Sequence, residues 1–156
     1  MYKAKEIARW FLIRNYAEEQ QDSEIEEMTN LKIQKLLYYA QGVHLAIEDY
    51  PLFSDNIVAW KHGPVVVDVY YEYKENGGNG IKYIPEPYDE GIYKKLVEDK
   101  ENIDMLEFVY KEFGQYTAWK LRNMTHNEKP WKETEQGQII NNELIKEFFR
   151  NEIVEV

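Results

Sequence analysis

The chain has 156 residues, 44% hydrophobic and 31% charged, which is enough for one contiguous core and too few for two ordinary domains. Its 29 Asp and Glu against 19 Lys and Arg leave a formal net charge of -10, which repels a phosphate backbone and disfavours nonspecific nucleic-acid binding. The absence of cysteine excludes disulfides, thiolate metal sites and cysteine nucleophiles. No cationic leader precedes an apolar run, and no stretch approaches the roughly 18 apolar residues a bilayer span needs, so a cytoplasmic protein with no membrane partner is expected.

In chain order, Ala4, Ile7, Ala8, Phe11 and Leu12 recur at helical spacing and predict an amphipathic helix over residues 3–18, with Trp10 and Tyr16 flanking the stripe. Residues 18–27 hold six carboxylates and read as a solvated connector. Thr29 is placed to N-cap a second helix, with Met28 and Ile33 as a hydrophobic staple. The buried face of that helix should be Ile33, Leu36, Leu37, Ala40, Val43, His44 and Ile47, and Pro51 should stop it. Residues 56–60 alternate as a short strand running into Lys61-His62-Gly63-Pro64. There the Gly-Pro pair predicts a turn, and Pro64 opens a third helix carrying Val66, Val69, Tyr70 and Tyr73. After the Gly-rich turn at 76–80, residues 81–84 read as a second strand pairing with the first.

A helix over 88–100 should turn Ile92, Leu96 and Val97 inward, followed by a break at 101–104. Leu106, Val109, Tyr110 and Phe113 mark another helix that Gly114 ends in a left-handed cap. Thr117 caps a short helix with Trp119, Leu121 and Met124, and Pro130-Trp131 makes one more turn before Gly137. Leu144, Ile145, Phe148 and Phe149 form a terminal amphipathic helix capped near Asn141 or Asn142. The expected fold is mainly α with a small β-hairpin or sheet (α+β): six or seven helices in one compact helical domain, 1–156.

The histidines His44, His62 and His126 lie 18 and 64 positions apart, which is no zinc spacing, and no metal or cofactor is implied. His44, on an apolar helix face, reads as a buried ring with satisfied hydrogen bonds. His62 in its turn and His126 at a helix end titrate near neutrality, but a general base needs a reacting partner the sequence does not supply. Neither serine, Ser23 or Ser54, lies in a nucleophile elbow, and the carboxylates are too many to single out a dyad. Gly77-Gly78-Asn79-Gly80 precedes a strand-like segment and not a lysine and a helix, so it is a turn and not a phosphate cradle. The aromatic residues Tyr38-Tyr39, Tyr70-Tyr71 and Tyr73 lack the basic interleaving of a base-stacking platform. They fit a core, with some left over for a protein interface.

Three ordered blocks, at 28–44, 59–73 and 117–131, resemble the Panacea (SocA-like) antitoxin family. The first is Met28-Thr29-Asn30-Leu31-Lys32-Ile33-Gln34-Lys35-Leu36-Leu37-Tyr38-Tyr39-Ala40-Gln41-Gly42. The second is Ala59-Trp60-Lys61-His62-Gly63-Pro64-Val65-Val66 followed by Val69-Tyr70, and the third is Ala118-Trp119 with Leu121, Thr125-His126 and Pro130-Trp131. Val43 departs from the aromatic residue the family pattern has there. The resemblance implies an antitoxin without a catalytic site, neutralising a cognate toxin protein, usually encoded beside it, by direct binding. It also implies, for some relatives, delivery of the toxin to a cytoplasmic protease as an adaptor, and occurrence in phage-linked genes as orphan interaction proteins. A His62- or His126-dependent enzyme and a transcriptional regulator are the readings from other classes. Trp60, His62, Gly63, Pro64, His126 and Trp131, in the signature loops, are expected to be structural or partner-facing.

Overall fold

The computed structural model describes residues 1–155. Among them are eight α-helices and one two-stranded antiparallel sheet: α1 (Ala4–Glu19), α2 (Asn30–Glu48), β1 (Val58–Trp60), β2 (Gly63–Val65), α3 (Val67–Glu72), α4 (Asp89–Val97), α5 (Lys100–Gly114), α6 (Ala118–His126), α7 (Lys129–Lys132) and α8 (Asn142–Glu152). A 3-10 turn, Lys74–Asn76, follows α3. The mainly α expectation with a small sheet holds, with more helices than the six or seven expected.

α2 is the axis of the molecule and packs against α1, α3, α5, α6, α8 and β2. That position explains why it is buried far beyond one stripe: between Ile33 and Ala46 every residue is buried, including Gln34, Lys35, Gln41 and His44. A helix surrounded on all sides buries its whole circumference. Thr29 caps it as expected, its Oγ1 accepting from the Lys32 backbone N–H at 3.2 Å. Ile47, expected inside, is 51% exposed, because the burial ends at Ala46 and the helix runs out into solvent. The helix ends with Asp49 in the left-handed region at φ 70°, two residues before Pro51, whose position therefore follows the stop and does not make it.

The β-element differs from expectation. Residues 81–84 form no strand; their chain is held by the Ile81 N–H donating to the Met28 carbonyl at 2.7 Å and by Arg9, whose Nη2 donates to the Ile84 carbonyl at 3.0 Å. β1 pairs instead with β2, with Val58 opposite Val65, Ala59 opposite Pro64 and Trp60 opposite Gly63. Lys61-His62 is thus the two-residue turn, Gly63-Pro64 lies in the strand, and α3 starts three residues later than Pro64. On its other side β1 meets the 137–140 segment, through Ala59 N–H to the Gln138 carbonyl at 2.9 Å and Ile140 N–H to the Ile57 carbonyl at 2.7 Å.

Two helix boundaries also move. The break between α4 and α5 falls at Glu98-Asp99, ahead of the expected 101–104, and Val97 at the end of α4 is 49% exposed. α5 closes through Gln115 in right-handed geometry, so Gly114 is no left-handed cap; it lies beside the Tyr110 ring, and its carbonyl accepts from Lys32 Nζ at 2.6 Å. Thr117 caps α6, its Oγ1 accepting from the Lys120 N–H at 3.0 Å, and Asn141 caps α8, its Oδ1 accepting from the Glu143 N–H at 2.7 Å. α8 lies across α2 at Gly42, where a Cβ would sit 2.3 Å from the Phe149 ring. No helix among the described residues is long and apolar enough to cross a membrane.

Candidate functional site

The six signature-loop residues converge on the β1–β2 hairpin and the α6–α7 corner behind it. Gly63 has φ 114°, a conformation side chains resist, and a Cβ there would lie 2.7 Å from Lys35 Cε and 2.9 Å from Thr125 Oγ1. Only glycine lets β2 approach α2 and α6 so closely. The Pro64 carbonyl accepts from Lys35 Nζ at 3.0 Å, and the Val66 N–H donates to Gln34 Oε1 at 2.8 Å. Gln34 Nε2 in turn donates to Asn30 Oδ1 at 3.0 Å, and Asn30 Nδ2 to the Tyr70 carbonyl at 3.0 Å. Side chains of α2 therefore close the outer edge of the hairpin and tie it to α3.

The opposite end is fixed by Trp131, whose Nε1 donates to the Trp60 carbonyl at 2.7 Å. The Trp131 ring lies flat on His126, centroids 3.9 Å apart and planes 4° from parallel. Trp60 stands edge-on to Tyr70 at 4.9 Å. His62 is exposed at the tip of the turn, its Nδ1 accepting from Arg122 Nε at 3.1 Å. Arg122 lies 4.4 Å from the centre of the Trp119 ring, and that ring is 58% exposed.

Charge shapes this corner. Lys35 is fully buried, and burial together with the Arg122 charge pushes its ammonium down to about 7. Burial, then Arg122, Lys61 and Lys35, lower the His62 imidazole; burial, Arg122 and Lys35 do the same to His126. Both shifts favour the neutral ring, for His126 against the opposing pull of a bond to the Lys61 backbone. Glu128, a buried carboxyl at the start of α7, accepts from the Tyr38 hydroxyl at 3.0 Å and the Tyr39 hydroxyl at 2.8 Å. Burial raises its carboxyl to about 7 against the opposing pull of those two bonds. His44 is satisfied as expected, with Nδ1 2.8 Å from the Tyr50 carbonyl.

Beside the hairpin opens a cleft of about 610 Å³, with Leu31, Trp60, Val65 and Tyr70 as apolar walls and Lys61 and His62 at the rim. A second cleft, of about 460 Å³, lies between the acidic connector and α5, walled by Glu18, Glu24, Glu26 and Glu27 with Tyr110 and Lys32. The hairpin site can bind an apolar group next to negative charge. For acid–base chemistry it offers two imidazoles, one engaged by a guanidinium and the other stacked on an indole, and among the described residues no carboxylate is bonded to either.

A family model described as "Antitoxin SocA-like, Panacea domain" matches residues 33–132, well over half of the chain. The chain belongs to the Panacea family. Within the matched Panacea region lie both strands, the Arg122–His62 bond and the Trp131–His126 stack. The curated "Antitoxin SocA" of Caulobacter vibrioides is 30% identical over 148 residues, covering 83% of this chain and 76% of that protein. No solved structure matches the chain significantly.

Gln34, Lys35, Arg122 and Glu128 are the residues of this Panacea site that sequence reasoning missed. Lys35 and Gln34 stand where a one-sided helix would be solvated, so periodicity places them outside. Only an axis helix packed on all sides turns them inward.

Proposed function

We propose that the protein is a noncatalytic antitoxin that neutralises a cognate toxin, encoded beside its own gene, by binding the toxin protein directly. Membership of the SocA-like Panacea family carries this reading, supported by the 30% identity to a named antitoxin over most of both chains. The hairpin site agrees with binding in preference to turnover. Catalysis by His62 or His126 would need a base oriented by a third group and aimed at a nucleophile or substrate. Here His62 spends Nδ1 on Arg122, and His126 is covered on one face by Trp131. Tight neutralisation needs about 1,200–2,000 Å² of buried surface centred on a few aromatic or arginine anchors, and Trp119 and Arg122 are anchors of that kind.

The test is growth of cells that express the toxin gene with or without this chain. The antitoxin reading predicts arrest by the toxin alone and restored growth with both. Arrest that persists when both proteins are present in soluble form refutes it.

A further inference from the structure

Segment 117–132 carries four Lys and Arg against a single carboxylate, with Glu133 and Glu135 following directly, in a chain whose acidic residues outnumber the basic ones 29 to 19. That carboxylate, Glu128, is buried and bonded to Tyr38 and Tyr39, so it neutralises none of the surface. Lys61 at the hairpin tip adds a further exposed cation. Among the described residues, none of Lys61, Lys120, Arg122, Lys129 and Lys132 is in an ion pair; the same is true of Lys3, Lys5, Lys74, Lys82 and Lys111, so what sets this corner apart is the clustering of its cations. A cationic corner left unpaired on an otherwise acidic molecule concentrates positive potential for a negatively charged partner.

We propose that this corner and the adjoining aromatic cleft dock an acidic linear segment of the partner protein, with one bulky apolar side chain in the cleft and carboxylates on Arg122, Lys61 and Lys120. The identity of that partner as the toxin rests on the antitoxin reading above. Arg122 is already ordered, because its Nε is bonded to His62 and its guanidinium lies over Trp119, so little freedom is lost when a carboxylate takes the remaining N–H groups. Trp119, Trp60 and Tyr70 supply the large rigid surfaces that dominate interface energetics. Two of the cleft's polar side chains, Asn30 and Gln34, are consumed by Tyr70, Val66 and each other, so this wall offers shape and apolar contact, and the remaining polar side chains of the lining are Lys61, His62 and Gln136. The net charge of -10 weighs against a nucleic acid as the anionic occupant.

Random short peptides displayed on phage and selected on the purified full-length protein test this. The selected peptides should combine runs of Asp and Glu with Trp, Phe, Leu or Met. The strongest should lose at least tenfold in affinity for Arg122→Glu and for Trp119→Ala, and several-fold for Lys61→Glu. It should bind Lys94→Glu, on the exposed face of α4, as it binds the unaltered protein. A peptide with Lys in place of its acidic residues should regain affinity for Arg122→Glu. Failure to enrich any peptide, enrichment of neutral or basic peptides, or affinity unchanged by the Arg122 and Trp119 substitutions overturns the proposal. So does an Arg122-dependent single-stranded oligonucleotide bound more tightly than any peptide. The growth assay separates the two readings. Acidic peptides lost on Arg122→Glu without any neutralisation keep the surface and remove the antitoxin; full neutralisation by Arg122→Glu keeps the antitoxin and removes the surface.

Discussion

Lys35→Met replaces a fully buried ammonium by an apolar side chain of similar length. The Lys35 ammonium falls from an ordinary 10.5 to about 7 in the folded protein, so the folded state holds fewer protons than the unfolded one between those limits. Stability therefore rises with pH through that window, and below pH 7 the full cost of the buried charge is present. At about 1.4 kcal/mol per pH unit, that cost is roughly 4 kcal/mol at pH 7 and roughly 2 kcal/mol at pH 9. Methionine removes it but leaves the Pro64 carbonyl without its 3.0 Å donor, a loss of about 1–3 kcal/mol. The variant should be more stable than the unaltered protein at pH 7, by roughly 1–3 kcal/mol, and close to equal at pH 9. Urea unfolding at pH 7, 8 and 9 measures the difference while staying below the range where tyrosines in the unfolded chain ionise. A difference between variant and unaltered protein that stays constant across this range refutes the assignment of Lys35 as a buried, strained charge.

Gly63→Ala forces a Cβ to 2.7 Å from Lys35 Cε at a backbone φ of 114°, and should lower stability by about 2–5 kcal/mol in urea; a loss under about 0.5 kcal/mol would contradict the close approach. Glu128 titrates at about 7 when folded against an ordinary 4.5, so the folded state keeps a proton that the unfolded state has lost, and stability falls as pH rises between those values. Glu128→Gln abolishes that fall, and its stability relative to the unaltered protein should improve by roughly 2–3 kcal/mol from pH 5 to pH 8 in urea titrations; parallel pH profiles would speak against it. Trp131→Phe preserves the stack on His126 but leaves the Trp60 carbonyl without the indole N–H, for an expected loss of about 1–2 kcal/mol and a fall in Tm of roughly 2–8 °C by calorimetry. An unchanged Tm would mean that the bond does not hold the hairpin.

The elements that depend on local chemistry were legible in the sequence: the stripe of α1, the Thr29, Thr117 and Asn141 caps and the short α7 after Glu128. What escaped was set by distant partners. Gly63-Pro64 has turn chemistry in isolation, yet becomes a strand because Gln34 and Lys35 supply its edge bonds from α2. Residues 81–84 have strand composition, yet are held by Arg9, which also forms a two-point ion pair with Asp89 at 2.9 and 2.7 Å. The same divide runs through the site. The family resemblance brought Trp60, His62, Gly63, Pro64, His126 and Trp131 into one list, and they do meet at the hairpin. Arg122 and Lys35 reach the hairpin through tertiary contacts, Arg122 Nε bonding His62 and Lys35 Nζ bonding the Pro64 carbonyl, which no spacing rule encodes.

Calorimetric titration of the purified protein into its purified toxin tests direct neutralisation most plainly. Direct neutralisation predicts a saturable complex with Kd below about 1 μM, weakened at least tenfold by Arg122→Glu. Absence of binding in a pair whose co-expression restores growth would contradict it and place neutralisation elsewhere than in a complex of the two proteins.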